Sequence, residues 1–202
     1  MSTTLAQLKT KVIHKLGETS DDGMLDNLLE SINAGLQQMA TEYDWPWLVQ
    51  ATTISTVAGT TDYNLPTGTT RIRELIYRDN PLTDVQLAEL VRYNQINGGE
   101  PALFYIQNST IKIAPIPNGA YDIYTEYVVT ENVLSSDSDT IKCPDHYADL
   151  VAVYATIEEA KRRKDQVAVN IWEASKKDWI LRIRDNIQRS KNLPDILTRQ
   201  DW

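Results

Sequence analysis

The stretch DWPWL, Asp44 to Leu48, marks a change in hydrophobic period that restricts the fold more than any other feature. Before it, Leu25, Leu28, Leu29, Ile32, Leu36, Met39 and Tyr43 recur at helical spacing, behind Asp21 or Asp22 as a cap. Pro46 disfavours helical geometry at Trp45 and cannot donate to the preceding turn, so that helix must stop near Asp44. From Trp47 the spacing becomes strand-like, and from Pro144 it is helical again. Helices from both ends of the chain enclosing strands from its middle predict an α+β fold rather than alternating βαβ units. The expected architecture is a helical bundle built from both termini with a central antiparallel β-sheet meander.

Leu5, Leu8, Val12 and Leu16 predict a first helix over 3–17, capped at Thr3 or Thr4 and stopped by Gly17; the second spans 23–44. In the middle, Val49 to Val57, Thr61 to Pro66 and Arg71 to Tyr77 read as extended, and Asp84 to Tyr93 as a short helix. Ala102 to Gln107, Thr110 to Ala114 and Tyr121 to Val129 read as three successive strands. Asn108 with Ser109 turns the first into the second, and Pro115 to Ala120 turns the second into the third. A last short strand is expected around Thr140 to Lys142. The helical region 145–190 has one apolar face at Leu150, Val153, Tyr154 and Ile157 and another at Val169, Trp172, Trp179, Ile183 and Ile187. The charged run KRRKD, Lys161 to Asp165, separates the two and favours a helical hairpin. One domain over 1–191, with a β-rich insertion at 47–142 and an extended tail at 192–202, accounts for the pattern.

A chain of 202 residues, 42% apolar, can bury a sizeable core without metal or disulfide staples. Its single cysteine, Cys143, cannot form an internal disulfide and reads as a small buried residue. The N-terminus lacks the apolar run of a signal peptide, and no window approaches the length of a membrane span, so a soluble, unexported protein is expected. The net charge of −8 argues against a dedicated nucleic-acid binder. That charge is uneven, because cationic residues predominate from Lys161 to Lys191.

Catalytic chemistry finds little support. His14 lies off the apolar stripe of the first helix. His146, three residues after Cys143, makes half a zinc site with no second pair of ligands, so no metal is expected. Glu158 and Glu159 point to different sides of a helix and cannot act as a convergent acid and base. Gly98 and Gly99 lack the context of a phosphate loop. No catalytic residue and no cofactor is predicted. The aromatic residues are more informative: five tryptophans and ten tyrosines stand beside one phenylalanine, a bias toward rings that carry a polar atom and suit interfaces. Trp45 and Trp47 are expected to fill the helix-to-sheet corner, and Trp202 to meet a partner.

The order of these segments resembles that of a known group. Two N-terminal helices ending in YDWPWL lead to YNLP, RIRELIY, GEPALFYI and IKIAPIPNGAYDIYTEYVV, and CPDHYADLVAVYATIEEAKRR precedes a helix containing Trp172. This succession resembles the head-to-tail adaptor proteins of tailed bacteriophages, which include the tail tubular protein A type of short-tailed phages. The resemblance runs through Ile187. It implies a non-enzymatic virion protein, made in the host cytoplasm, that joins the portal protein to a downstream tail or nozzle protein. It also implies self-association into a ring, commonly a dodecamer, that continues the DNA channel so that genomic DNA passes without specific binding; no membrane is involved. By the same analogy, portal contact falls on Trp179, Ile183, Arg184 and Ile187 and on Leu193 to Trp202, including Leu193, Ile196, Leu197 and Trp202. The other readings are a neck or tail-completion protein that binds the tail instead, a cell-wall hydrolase, and a nucleic-acid-binding module resting on the basic run.

Overall fold

A computed structural model describes residues 2–17, 22–94 and 98–191. They gather into two compact units: one takes the described residues up to Tyr43 and from Glu131 onward, the other runs without interruption from Asp44 to Thr130.

The first unit is helical. Helix α1 (Leu5–Leu16) starts at a capping box, in which Gln7 N–H donates to Thr4 Oγ1 and Thr4 N–H to Gln7 Oε1, and it ends at Gly17 with φ 72°. Helix α2 (Asp22–Glu42) buries Leu28, Ile32, Leu36 and Met39. After a short 3-10 turn (Asp145–Tyr147) come α4 (Ala148–Arg162) and α5 (Gln166–Lys191); α3 (Leu87–Asn94) belongs to the other unit. The expected hairpin at KRRKD is present: Lys164 adopts φ 60°, and Asp165 caps α5 by accepting from Ala168 N–H at 3.0 Å.

Helix α4 is the element on which α1, α2 and α5 all pack. Eleven of its fifteen residues are buried, including Ala152 and Ala155, whose small side chains let α2 approach closely. A Cβ built on Gly35 of α2 would lie 2.7 Å from the Ala155 backbone nitrogen, so only glycine fits there without displacement. Glu159 is completely buried at the end of α4. It accepts from Ser31 Oγ at 2.8 Å, from Arg162 Nε and Nη2 at 2.9 and 2.5 Å, and from Arg163 Nε at 2.6 Å. Burial pushes this carboxyl up, but the guanidinium and hydroxyl donors outweigh it and hold it at about 2.

The segment 131–143 also belongs to the helical unit. Asn33 Nδ2 donates to the Leu134 carbonyl and Asn33 Oδ1 accepts from Leu134 N–H, while Lys142 N–H donates to the buried Glu131 carboxylate at 3.0 Å. The β-rich insertion expected over 47–142 therefore closes at Thr130. In place of the strand expected at Thr140 to Lys142 there is one antiparallel bridge, Thr4 to Thr140, because these residues pair with the cap of α1 and not with a sheet.

The second unit holds the strands. β1 (Val49–Ser55), β3 (Thr69–Tyr77), β4 (Asn80–Pro81) and β10 (Asp122–Val129) form one sheet in the order β1-β10-β3-β4. β2 (Asp62–Asn64), β5 (Thr83–Asp84), β7 (Leu103–Gln107) and β8 (Thr110–Ala114) form another in the order β2-β8-β7-β5. β6 (Gly98–Gly99) and β9 (Ile116–Pro117) make a short parallel pair, and α3 (Leu87–Asn94) packs on β7 and β8. Leu75, Tyr77 and Ile123 from the first sheet join Phe104, Ile111 and Ile113 from the second in a common core.

This arrangement corrects the expected meander. The β7–β8 hairpin turns at Asn108, φ 55°, as its sequence suggested. β8 and β10 do not pair, however: β10 lies between β1 and β3 in the other sheet. Pro115 follows a cis peptide, and Ile116 with Pro117 pairs with the glycines of β6. Neither proline can donate to a ladder, so the antiparallel pairing of β8 stops at Ala114 and the chain crosses to the first sheet where a hairpin was expected.

Candidate functional site

Among the described residues, no group of three or more His, Cys, Asp or Glu side chains is placed to hold a metal ion. Cys143 is buried, and that burial, with Glu131 and Asp145 nearby, pushes its thiol up and away from thiolate chemistry. His14 is exposed, and His146 rests against Tyr147 with ring centroids 3.9 Å apart. Glu158 pairs with Lys161 on the surface while Glu159 lies inside, so the two carboxylates diverge as their spacing required. Trp45 is buried and stacks on Trp47 with ring centroids 4.9 Å apart, which makes the corner after α2 a packing feature. A cleft of about 750 Å³ in the strand unit is lined by Leu65, Thr67, Arg71, Asp84 and Ile106 among others.

The surface best suited to a partner is on α5. Its inner face carries Ile180 and Ile183, both buried, and Lys176, whose ammonium reaches Glu42 at 3.3 Å and Glu173 at 2.9 Å and lies 5.1 Å from the centre of the Tyr154 ring. The Tyr154 hydroxyl donates to Glu42 at 2.5 Å. Trp172 is half-buried, with Lys15 Nζ 5.4 Å from its ring centre. These contacts fix the rotation of α5 about its axis and decide which residues face outward.

The outward face is apolar as well as charged. Val167 is 70% exposed, Ile171 59% and Leu181 62%. They stand four and fourteen residues along the helix from Val167, a separation that returns to the same side after about one and about four turns. Lys177, Arg182 and Arg184 are exposed beside them. Among the residues expected to meet the portal, Trp179 and Ile187 are half-buried and Arg184 is exposed. Ile183 is 1% exposed and serves the packing of α5. Leu193, Ile196, Leu197 and Trp202 lie outside the described residues. The Val167, Ile171 and Leu181 stripe was missed in the sequence, although its spacing was visible, because the stripe through Trp172 and Ile183 accounted for the helix alone.

Residues 3–194 match the family model described as SU10 adaptor protein. No curated protein matches the chain.

Proposed function

The chain belongs to the SU10 adaptor protein family, and from that premise we propose that it is a structural, non-enzymatic component of a phage virion and docks on a portal ring through α5 and the residues that follow it. One observation carries this reading: a 26-residue helix presents exposed Val167, Ile171 and Leu181 outward, with Lys177, Arg182 and Arg184 exposed to either side and Asp178 and Asp185 among them. From Lys161 to Lys191 ten cationic residues stand against four anionic ones, leaving ten cationic and twenty-four anionic residues elsewhere. Two unlike surfaces of this kind suit the heterologous contacts of a ring, in which each patch meets a different patch on the next copy. In the proposed assembly, Trp179, Leu181, Arg184 and Ile187, with Leu193, Ile196, Leu197 and Trp202, contact the portal, and copies of the chain, twelve in the full ring, extend the DNA channel. An acidic body favours passage of DNA, since cationic walls would hold its phosphates. The strand unit then offers the platform for the tail.

Electron microscopy of the protein mixed with its cognate portal tests the proposal. Ring-shaped complexes containing both proteins are expected. Absence of such rings, with capture of the chain by tail proteins alone in a pull-down, would replace the portal reading with that of a tail-completion protein.

A further inference from the structure

The two four-stranded sheets have four outer strands, and three of them are short. β4 has two residues, one of them Pro81; β5 has two, one of them Asp84; and β2 has three, one of them Asp62. Shortness, proline and charge are the usual protections against unwanted strand pairing. The fourth outer strand, β1, has none of them: VQATTIS is seven residues long, with no charge, no proline and no glycine. No strand lies on its far side among the described residues.

The register defines what this edge displays. Thr56 N–H donates to the Tyr121 carbonyl at 2.8 Å, and the β1–β10 pairing continues from that point with Ser55 opposite Asp122. Antiparallel ladders alternate between bonded and non-bonded pairs, so Ile54 and Thr52 bond to β10. The N–H and C=O groups of Ala51, Thr53 and Ser55 therefore point outward. Their side chains are small and exposed, and they lie on the same sheet face as their cross-strand partners Glu126, Tyr124 and Asp122. Glu74 of β3 stands opposite Glu126 on that face, and Ile76 opposite Tyr124. Arg73 pairs with Glu126 at 2.5 Å, whereas among the described residues Asp122 accepts only the neutral Ser55 hydroxyl, at 2.5 Å.

We propose that the free edge of β1 accepts an extended segment of a different polypeptide, added antiparallel, with two cationic side chains four residues apart and an apolar residue midway between them. The three residues that bond to Ser55, Thr53 and Ala51 share the outer face with them. The apolar residue lies against Thr53 and the exposed Tyr124 ring. Its cationic neighbours extend across Ser55 and Ala51 toward Asp122 and the Glu126–Glu74 pair, over side chains too small to block them. In this chain that spacing occurs only at Lys11, Ile13 and Lys15, which are inside α1. The segment therefore comes from another protein and not from a second copy. This inference concerns the strand unit and is tested without portal, so it stands or falls independently of the portal reading.

The test is titration of the isotope-labelled full chain with the peptide acetyl-TVKTITKVT-amide at roughly millimolar concentration, the range in which tethered segments operate. Amide resonances of Ala51, Thr53 and Ser55 are expected to shift and their exchange with solvent to slow, with no such change for acetyl-TVETITEVT-amide. Thr53→Pro removes an outward donor without touching the ladder to β10 and should abolish the shifts. The double variant Asp122→Asn with Glu126→Gln keeps the backbone edge and should weaken binding by about tenfold, two cross-strand charge pairs being lost. The proposal is overturned if the lysine peptide moves no β1 amide, or if the glutamate peptide binds equally well. It is overturned too if the edge amides become protected on concentrating the protein alone, which would make a second copy the occupant.

Discussion

Helices α4 and α5 are joined by three residues and pack on each other, yet their surfaces differ. Of fifteen residues in α4 eleven are buried, whereas among the described side chains of the 26-residue α5 only Lys176, Ile180 and Ile183 are. At about 1.5 Å per residue, α5 is longer than α4 by roughly 16 Å, more than one antiparallel neighbour can cover. Beyond Ile183, among the described side chains, only Ile187 is even half-buried. Folding requires α4, since three helices pack on it. It requires only the inner stripe of α5, which leaves the outer one for assembly. Substitutions in α4 and its contacts should therefore act on stability, and substitutions outside α5 on association.

The largest effect is expected at Tyr154, fully buried on α4 and hydrogen-bonded to Glu42. Tyr154→Ala leaves a cavity and removes the ring beneath Lys176, at a cost of about 4 kcal/mol, measurable by urea unfolding. Glu159→Gln comes next, at about 3 kcal/mol, because it leaves Arg162 and Arg163 without their carboxylate. The acid dependence gives a second measure. A carboxyl held at about 2, against an ordinary 4.5, contributes stability that is fully present above the unfolded value and lost as pH falls from there toward 2. The difference between wild type and Glu159→Gln should shrink across that window. Glu131 acts with the opposite sign: burial raises its carboxyl, so its protonation favours the folded chain. Unfolding curves that keep a constant gap from neutral pH to 2 would remove Glu159 as the anchor of α4.

Gly35→Ala sharpens the contrast from the α2 side. Its Cβ would meet Ala155 backbone atoms, which cannot rotate away, and overpacking of this kind costs about 2 kcal/mol. An equal or higher melting temperature would mean that α2 and α4 separate more easily than their spacing implies.

The helices were legible because their signals are long. Apolar residues from Leu28 to Met39 and the stop at Gly17 read correctly, and of the two cap candidates, Thr3 and Thr4, the helix uses Thr4; each signal agrees with the helical period over several turns. The sheets were legible only as strands. Alternation located β7, β8 and β10, but it carries no information about partners, and the Pro115 to Ala120 link reads equally well as a turn or as a crossing. Two-residue strands such as β4 and β6 have no period to detect; β4 is set by Arg78 and Asp79, both at positive φ, in the turn before it. The buried role of Glu159 was half legible: its divergence from Glu158 followed from spacing, but its contact with Ser31, 128 positions away, required the fold.

The smallest effect on stability is expected on the outer stripe of α5, and it separates the two helices most sharply. Leu181→Lys replaces a side chain that is 62% exposed, so the fold should change by no more than about 0.5 kcal/mol. The same substitution puts a charge in the middle of an apolar contact if that face docks, and a desolvated lysine there should weaken association by tenfold or more. Portal binding by light scattering, alongside urea unfolding of the same sample, reads both quantities. Removing 192–202 should behave similarly, with folding intact and portal binding reduced. If Leu181→Lys leaves binding unchanged while the truncation abolishes it, contact resides in the terminus alone and the helix serves as its support. If neither change affects binding, the exposed stripe of α5 does not meet the portal, and the difference between α4 and α5 reflects helix length alone.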